Sequence, residues 1–78
     1  MSRSPDPPRI AAEFGARVRA RRLELGLTQM RLAELSGLDL SFVSDSERGL
    51  RNVSLVIIVK LAKALEVDPA DLVAGLQP

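Results

Sequence analysis

The sequence contains no cysteine and no histidine. Without cysteine there is no disulfide framework and no thiolate zinc site. Without histidine the commonest general base and the commonest neutral metal ligand are both missing. These absences argue against an enzyme, a metal site and a bound cofactor. Asp39, Asp45 and Glu47 supply carboxylates, but no second catalytic group, phosphate loop or metal cluster accompanies them. Long apolar runs are absent too: the longest, LVIIV at Leu55 to Val59, is far short of the ~20 residues needed to span a bilayer. The opening MSRSPDPPR carries no apolar core of signal-peptide length. A cytoplasmic protein with no membrane partner is expected. Period-two alternation over strand length is also lacking, which predicts an all-α fold.

What is present is short and unevenly charged. The 78 residues make one domain at most. A chain this small buries only about 60–65% of the surface its unfolded form exposes, so a second subunit would add stability. An end at residue 78 leaves no space for a ligand-binding domain, so control is expected through concentration, dimerisation or a partner. The net charge is +1, yet residues 1–31 hold seven arginines against Asp6, Glu13 and Glu24, while the remainder holds four basic residues against seven acids. That asymmetry suggests one basic surface; a solvated arginine face is the plainer reading.

Three of the five prolines fall in residues 1–8, where apolar periodicity is missing. This predicts a flexible arm over residues 1–6 and a folded domain over 7–78, with Asp6 capping a first helix and Pro7 in its first turn. Ile10, Phe14, Val18 and Leu25 then recur at helical spacing, and Gly26 stops the helix. Thr28 caps a short helix from Gln29 to Ser36 with Leu32 and Ala33 facing inward, and Gly37 ends it. Asp39 caps a third from Leu40 to Arg48, closed by Gly49. Ser54 caps a fourth running to Leu65, and Asp68-Pro69 opens a fifth whose apolar face is Leu72 and Leu76. The second and third helices are too short to stand alone and need neighbours. Joined by Gly37-Leu38-Asp39, they match a helix-turn-helix, although periodicity alone fits a plain five-helix bundle equally well.

The residues favour the first. From Phe14 to Val73 the chain resembles the helix-turn-helix domain of the phage repressor and Cro family, which includes the controller proteins of restriction-modification systems. The matching pieces are GARVRARR, LGLTQMRLAELSGL, VSDSERGLRNVSL and LAKALEVDPADL, in the family's order and spacing. VSDSERGLRNVSL looks closest to the controller branch, and similar text occurs in standalone repressors and antitoxins. The resemblance implies a compact five-helix, lambda-repressor-like domain that regulates transcription by binding double-stranded DNA as a homodimer.

It also implies roles for particular residues. Leu40, Ser41, Ser44 and Asp45 fall at groove-reading positions of the third helix, with Arg48 beside them. Gln29 matches a phosphate-contacting glutamine at the start of the second helix. Arg51 and Asn52 match loop residues that grip the backbone or reach toward a base. Arg22 and Glu47 match a structural ion pair tying the first helix to the third, and Gly49 is a backbone device for a positive φ; neither Glu47 nor Gly49 reads bases. Three departures stand out. Leu40 offers only apolar contact where relatives often hydrogen-bond. Ser46 replaces a large apolar residue, so the third helix is loosely packed or the hydroxyl bonds back to its own helix. Asp45 turns a carboxylate toward a polyanion, which needs a cytosine amine or an arginine such as Arg48 as partner.

In the fourth helix, Leu55, Ile58, Leu61, Ala62 and Leu65 form one apolar stripe. Val56 points nearly opposite it, with Ile57 and Val59 on its flanks, a surplus that often marks an interface. The resemblance implies a two-fold dimer built by the C-terminal helices, with Val56, Ile57, Val59, Leu72 and Leu76 contributing. The alternative reading is an antitoxin-like protein-interaction module with secondary DNA binding. A polymerase or a toxin is the protein partner each reading leaves open.

Overall fold

The computed structural model describes residues 9–78. The expected arm over residues 1–6, the Asp6 cap and Pro7 in the first turn lie outside the described residues. Five helices follow in order: α1 Arg9–Glu24, α2 Gln29–Ser36, α3 Leu40–Glu47, α4 Leu55–Ala64 and α5 Pro69–Val73. There is no strand among the described residues, and no helix among them is long and apolar enough to cross a membrane.

Three of the helix starts have a chemical cause. Thr28 Oγ1 accepts from the Arg31 N–H at 3.0 Å and Ser54 Oγ from the Ile57 N–H at 3.2 Å, satisfying donors that the first helical turn leaves without partners. Asp68 accepts from Ala70 N–H while Asp71 reaches back to Asp68 N–H, a reciprocal box that lets a helix of only five residues form after Pro69. Asp39 is the exception: it occupies the cap position of α3, but its side chain makes no capping bond. Helix ends also differ slightly from the sequence expectation. Arg48 and Leu65 act as C-caps rather than last helical residues, and Leu76 lies beyond α5 in the C-terminal tail.

The core is one cluster built from every helix: Phe14 and Val18 of α1, Leu32 and Ala33 of α2, Val43 of α3, Leu61, Ala62 and Leu65 at the end of α4, and Leu72 of α5. In α1 the inward face is Ala11, Phe14, Gly15, Val18 and Arg22, recurring every three or four residues. Ile10, expected on this stripe, is instead partly exposed and Ala11 takes the inward position. A larger correction concerns α4. Leu55, expected in the core, is 81% exposed. It sits about 70° off the centre of the stripe formed by Ile58, Leu61, Ala62 and Leu65 at 100° per residue. Ile57, expected outside, packs half-buried against the core instead. Leu72, expected at an interface, is 2% exposed and fills the monomer's own core, and Leu76 rests against that core.

α1 and α3 meet unusually closely, and two glycines make it possible. A Cβ on Gly15 would lie 2.1 Å from the Ser46 carbonyl oxygen and 2.8 Å from that of Glu47. Gly49, just past α3, has φ +77° and would place a Cβ 2.7 Å from Ala12 Cα, so both its dihedral and its neighbour require glycine. Between them lies Ser46, 2% exposed, whose Oγ has no hydrogen-bond partner among the described residues. The expected back-bond to its own helix is therefore not made, and the site is tightly packed rather than loose. An unpaired buried hydroxyl loses its water for nothing in return, at a cost of about 1–3 kcal/mol. Ser46→Ala is accordingly expected to raise stability by about 1 kcal/mol, measured as a shift in urea midpoint at unchanged slope; a variant less stable than the parent would show that the hydroxyl has a partner.

Candidate nucleic-acid interface

The site begins with two short helices that cannot stand alone. Gly37 and Leu38 return their N–H groups to the Glu34 and Ala33 carbonyls, ending α2 in a tight closure, and Asp39 turns directly into α3. Three residues thus separate two helices of eight residues each, the spacing at which the second helix of such a pair can be presented outward.

The frame behind α3 centres on Glu47, whose side chain is 1% exposed. Arg22 Nε donates to its Oε2 at 2.6 Å and Arg22 Nη2 to its Oε1 at 2.9 Å, a two-pronged pair between planar groups. Arg22 Nη1 donates to the Leu27 carbonyl at 2.8 Å, and Gln29 Nε2 donates to Glu47 Oε1 at 3.1 Å, the third donor to this carboxylate. One carboxylate therefore gathers α1, the loop after it, α2 and α3. The hydrogen bonds that Arg22 donates to Glu47 raise its pKa above the ordinary guanidinium range; burial opposes this, and the attraction of the Glu47 charge adds to the rise. The sign is that of a cation stabilised by folding: this contribution is fully present below the ordinary guanidinium range and is lost only as pH climbs past the raised value.

The opposite side of α3 is the candidate contact face. Val43, Ser46 and Glu47 point inward, leaving Ser41, Ser44, Asp45 and Arg48, at successive helical spacings, along the outer side. Ser41 and Arg48 are exposed, Ser44 and Asp45 half-buried, and Leu40 presents an exposed apolar side chain at the start of the helix. Because Asp39 does not cap, the N–H groups of the first turn of α3 remain open to an anion or to water. Arg51 and Asn52 are exposed on the following loop. Gln29 is half-buried and has one N–H on Glu47, which leaves its carboxamide a second N–H donor.

Two parts of this arrangement were not legible residue by residue. Asp45 bridges two arginines: Oδ1 accepts from Arg48 Nη2 at 3.1 Å and Oδ2 from Arg51 Nε at 3.4 Å. Arg51 also lies 5.0 Å above the centre of the Phe42 ring, within cation–π range. The pairing with Arg48 follows from i, i+3 spacing, whereas the pairing with Arg51 depends on the path of the loop. Three arginines of the N-terminal half are engaged by the protein's own acceptors. Arg21, Arg22 and Arg31 are tied to Glu24, Glu47 and Glu34, and Arg21 Nε donates to the Leu65 carbonyl at 2.9 Å. Arg21 and Arg22 thereby tie α1 to the end of α4 and to α3.

A rigid inner frame, a three-residue turn and a polar outward face on the second of two short helices define a helix-turn-helix protein. The chain belongs to the helix-turn-helix family, whose profile matches residues 18–72. It is 48% identical over 60 residues to the control protein C.BamHI of Bacillus amyloliquefaciens, covering 76% of this chain and 74% of that one. Among solved structures it is similar to the restriction-modification controller protein C.AhdI from Aeromonas hydrophila, with 55% identity and a TM-score of 0.78 over 80% of this chain and 94% of that one. It is also similar to the controller protein C.Esp1396I, solved as a tetramer with its natural 35 base-pair operator, with 32% identity and a TM-score of 0.75 over 81% and 83% of the two chains.

Proposed function

We propose that this protein is a sequence-specific transcriptional regulator of the restriction-modification controller type, acting as a homodimer on a promoter or operator. The observation that carries the reading is the division of α3 into an inner side fixed by Glu47 and an outer side of Ser41, Ser44, Asp45 and Arg48 with Arg51 folded alongside. The C.Esp1396I complex supports it, because a similar chain there sits on operator DNA. Ser41 and Ser44 approach base edges, Leu40 offers apolar contact to a thymine methyl, and Gln29, Arg48, Arg51 and Asn52 engage phosphates or base edges.

The dimer surface lies on the first half of α4. Leu55, Val56 and Val59 are 81%, 63% and 54% exposed. Their spacing places all three on one strip of helix surface, with Lys60 and Lys63 at its margin. Two copies joined there place their α3 helices in successive major grooves about 34 Å apart. Occluding or recruiting polymerase at the promoter is then the mode of action. None of the three relatives named above is described as an antitoxin, and the regulator reading takes precedence over the interaction-module one.

Binding to the gene's own upstream DNA, compared with a scrambled duplex over a salt series, tests this. Selective binding that persists at physiological salt is expected, with a footprint of two half-sites one helical turn apart. Arg51→Ala is expected to lose about 1–3 kcal/mol of operator binding per protomer. Equal, salt-labile binding to both duplexes would leave only backbone attraction and defeat the proposal.

A further inference from the structure

A carboxylate stands in the middle of this DNA face. For a surface meeting a polyanion, a neutral side chain at position 45 would attract DNA better than Asp45 does, so the residue must do something else. In the free protein its two oxygens each hold a different arginine, Arg48 at 3.1 Å and Arg51 at 3.4 Å. The second arginine comes from the far side of the Gly49 turn, and its guanidinium is stacked at 5.0 Å on Phe42 of the same helix. Both arginine side chains remain about half exposed or more, so an incoming phosphate can reach them.

We propose that Asp45 is a positioning residue that stands in for a DNA phosphate before DNA arrives. It holds Arg48 and Arg51 beside α3 and gives them up only in exchange for an equivalent anion. An unpaired arginine gains the whole of a charge-assisted bond from any phosphate it meets. A clamped one gains only the difference between two such bonds, less the repulsion between Asp45 and the phosphate. Attraction to every duplex is therefore weakened alike, so that at low protein concentration only a site adding the base-edge contacts of Ser41, Ser44 and Asn52 is occupied. Phe42 stays beneath the guanidinium whichever acceptor it has. The clamp thereby sets how much contact a site must offer before it is occupied. The inference rests on the regulator reading above.

Asp45→Asn and Asp45→Glu, compared with the unsubstituted protein on upstream and scrambled duplexes across a salt series, test it. Exposed ion pairs contribute little to folding, so both variants are expected to keep the parent's melting temperature. For Asp45→Asn, affinity for the scrambled duplex is expected to rise about threefold per protomer, the effect of removing one unit charge several Å from a phosphate in water. Its salt slope steepens by about 0.9 for each arginine newly placed on a phosphate. Operator affinity rises by the same factor, and Asp45→Glu restores the parent's affinity for both duplexes. Loss of operator binding with unchanged scrambled binding would overturn the inference, making Asp45 a direct base reader. So would parental affinities on both duplexes. If the unsubstituted protein itself shows no preference for its upstream DNA, the regulator reading falls, and this inference with it.

Discussion

Glu47→Ala is expected to cost about 3–5 kcal/mol of folding stability, the range for removing one member of a buried ion pair. A domain of this size has only about 4–12 kcal/mol in total, so the variant will be largely or marginally unfolded at growth temperature. The size of the effect comes from what is left behind. Arg22 would remain buried with only the Leu27 carbonyl as acceptor, and Gln29 would lose the partner that fixes its carboxamide. Replacing both ends of the pair removes that residue of unpaired charge: Arg22→Met with Glu47→Leu is expected to regain most of the loss, because apolar groups of similar volume often substitute for a buried pair without penalty. Urea denaturation of the parent, the single variant and the double variant decides the matter. A single variant within 1 kcal/mol of the parent would mean that the Glu47 network contributes little to holding α1, α2 and α3 together.

Gly15→Ala is expected to destabilise by about 2 kcal/mol or more, against the direction of helix propensity. Alanine in a helix interior is favoured over glycine by about 1 kcal/mol, yet the new methyl would sit 2.1 Å from one backbone oxygen of α3 and 2.8 Å from another. Backbone carbonyls inside a helix cannot rotate aside, so α3 must be pushed off α1, and overpacking of this kind costs about 1–3 kcal/mol and occasionally more. Ala16→Gly, on the exposed side of the same helix, provides the comparison: it alters propensity alone and should cost about 1 kcal/mol. Thermal midpoints of the two variants should therefore both fall, although the substitutions are opposite in kind. A Gly15→Ala protein more stable than the parent would show that the α1–α3 contact is loose. Displacing α3 also displaces Ser41, Ser44 and Arg48, so the same variant is expected to bind operator DNA more weakly even below its melting temperature.

Much of this fold is written in local terms that a sequence can carry. The caps at Thr28, Ser54 and Asp68 lie one residue before the helices they start, and Gly37 and Gly49 fall where α2 and α3 close. The Arg22–Glu47 pair was accessible only through resemblance, since 25 positions separate its members. Where local reasoning failed, it failed at questions of depth. Helical periodicity indicates which way a side chain points, not how far the core extends along the axis, and so Leu55 was placed inside and Ile57 outside. The interface role of Leu72 comes from the resemblance, and depth again decides against it: an apolar residue on a terminal helix serves a core and a partner equally well, and here the core takes it. The role of Gly15 had a signal, a glycine inside an alanine-rich helix, but its cause is the carbonyl of Ser46 more than thirty positions away. The arginine clamp on Asp45 depends on a loop path that no periodicity describes.

The two sides of α3 answer to different constraints, and this bears on how such a protein changes over time. Val43, Ser46 and Glu47 meet the core, α1 and Arg22, so substitutions there are filtered by whether the chain folds. Leu40, Ser41 and Arg48 are exposed, and changes on exposed helix positions are usually within about 0.5 kcal/mol of neutral. A lineage can therefore try new outer residues one at a time without first acquiring stability to spare. Preference for a new operator is open to gradual drift, and the same freedom makes these three positions the natural ones to randomise when a different target sequence is wanted.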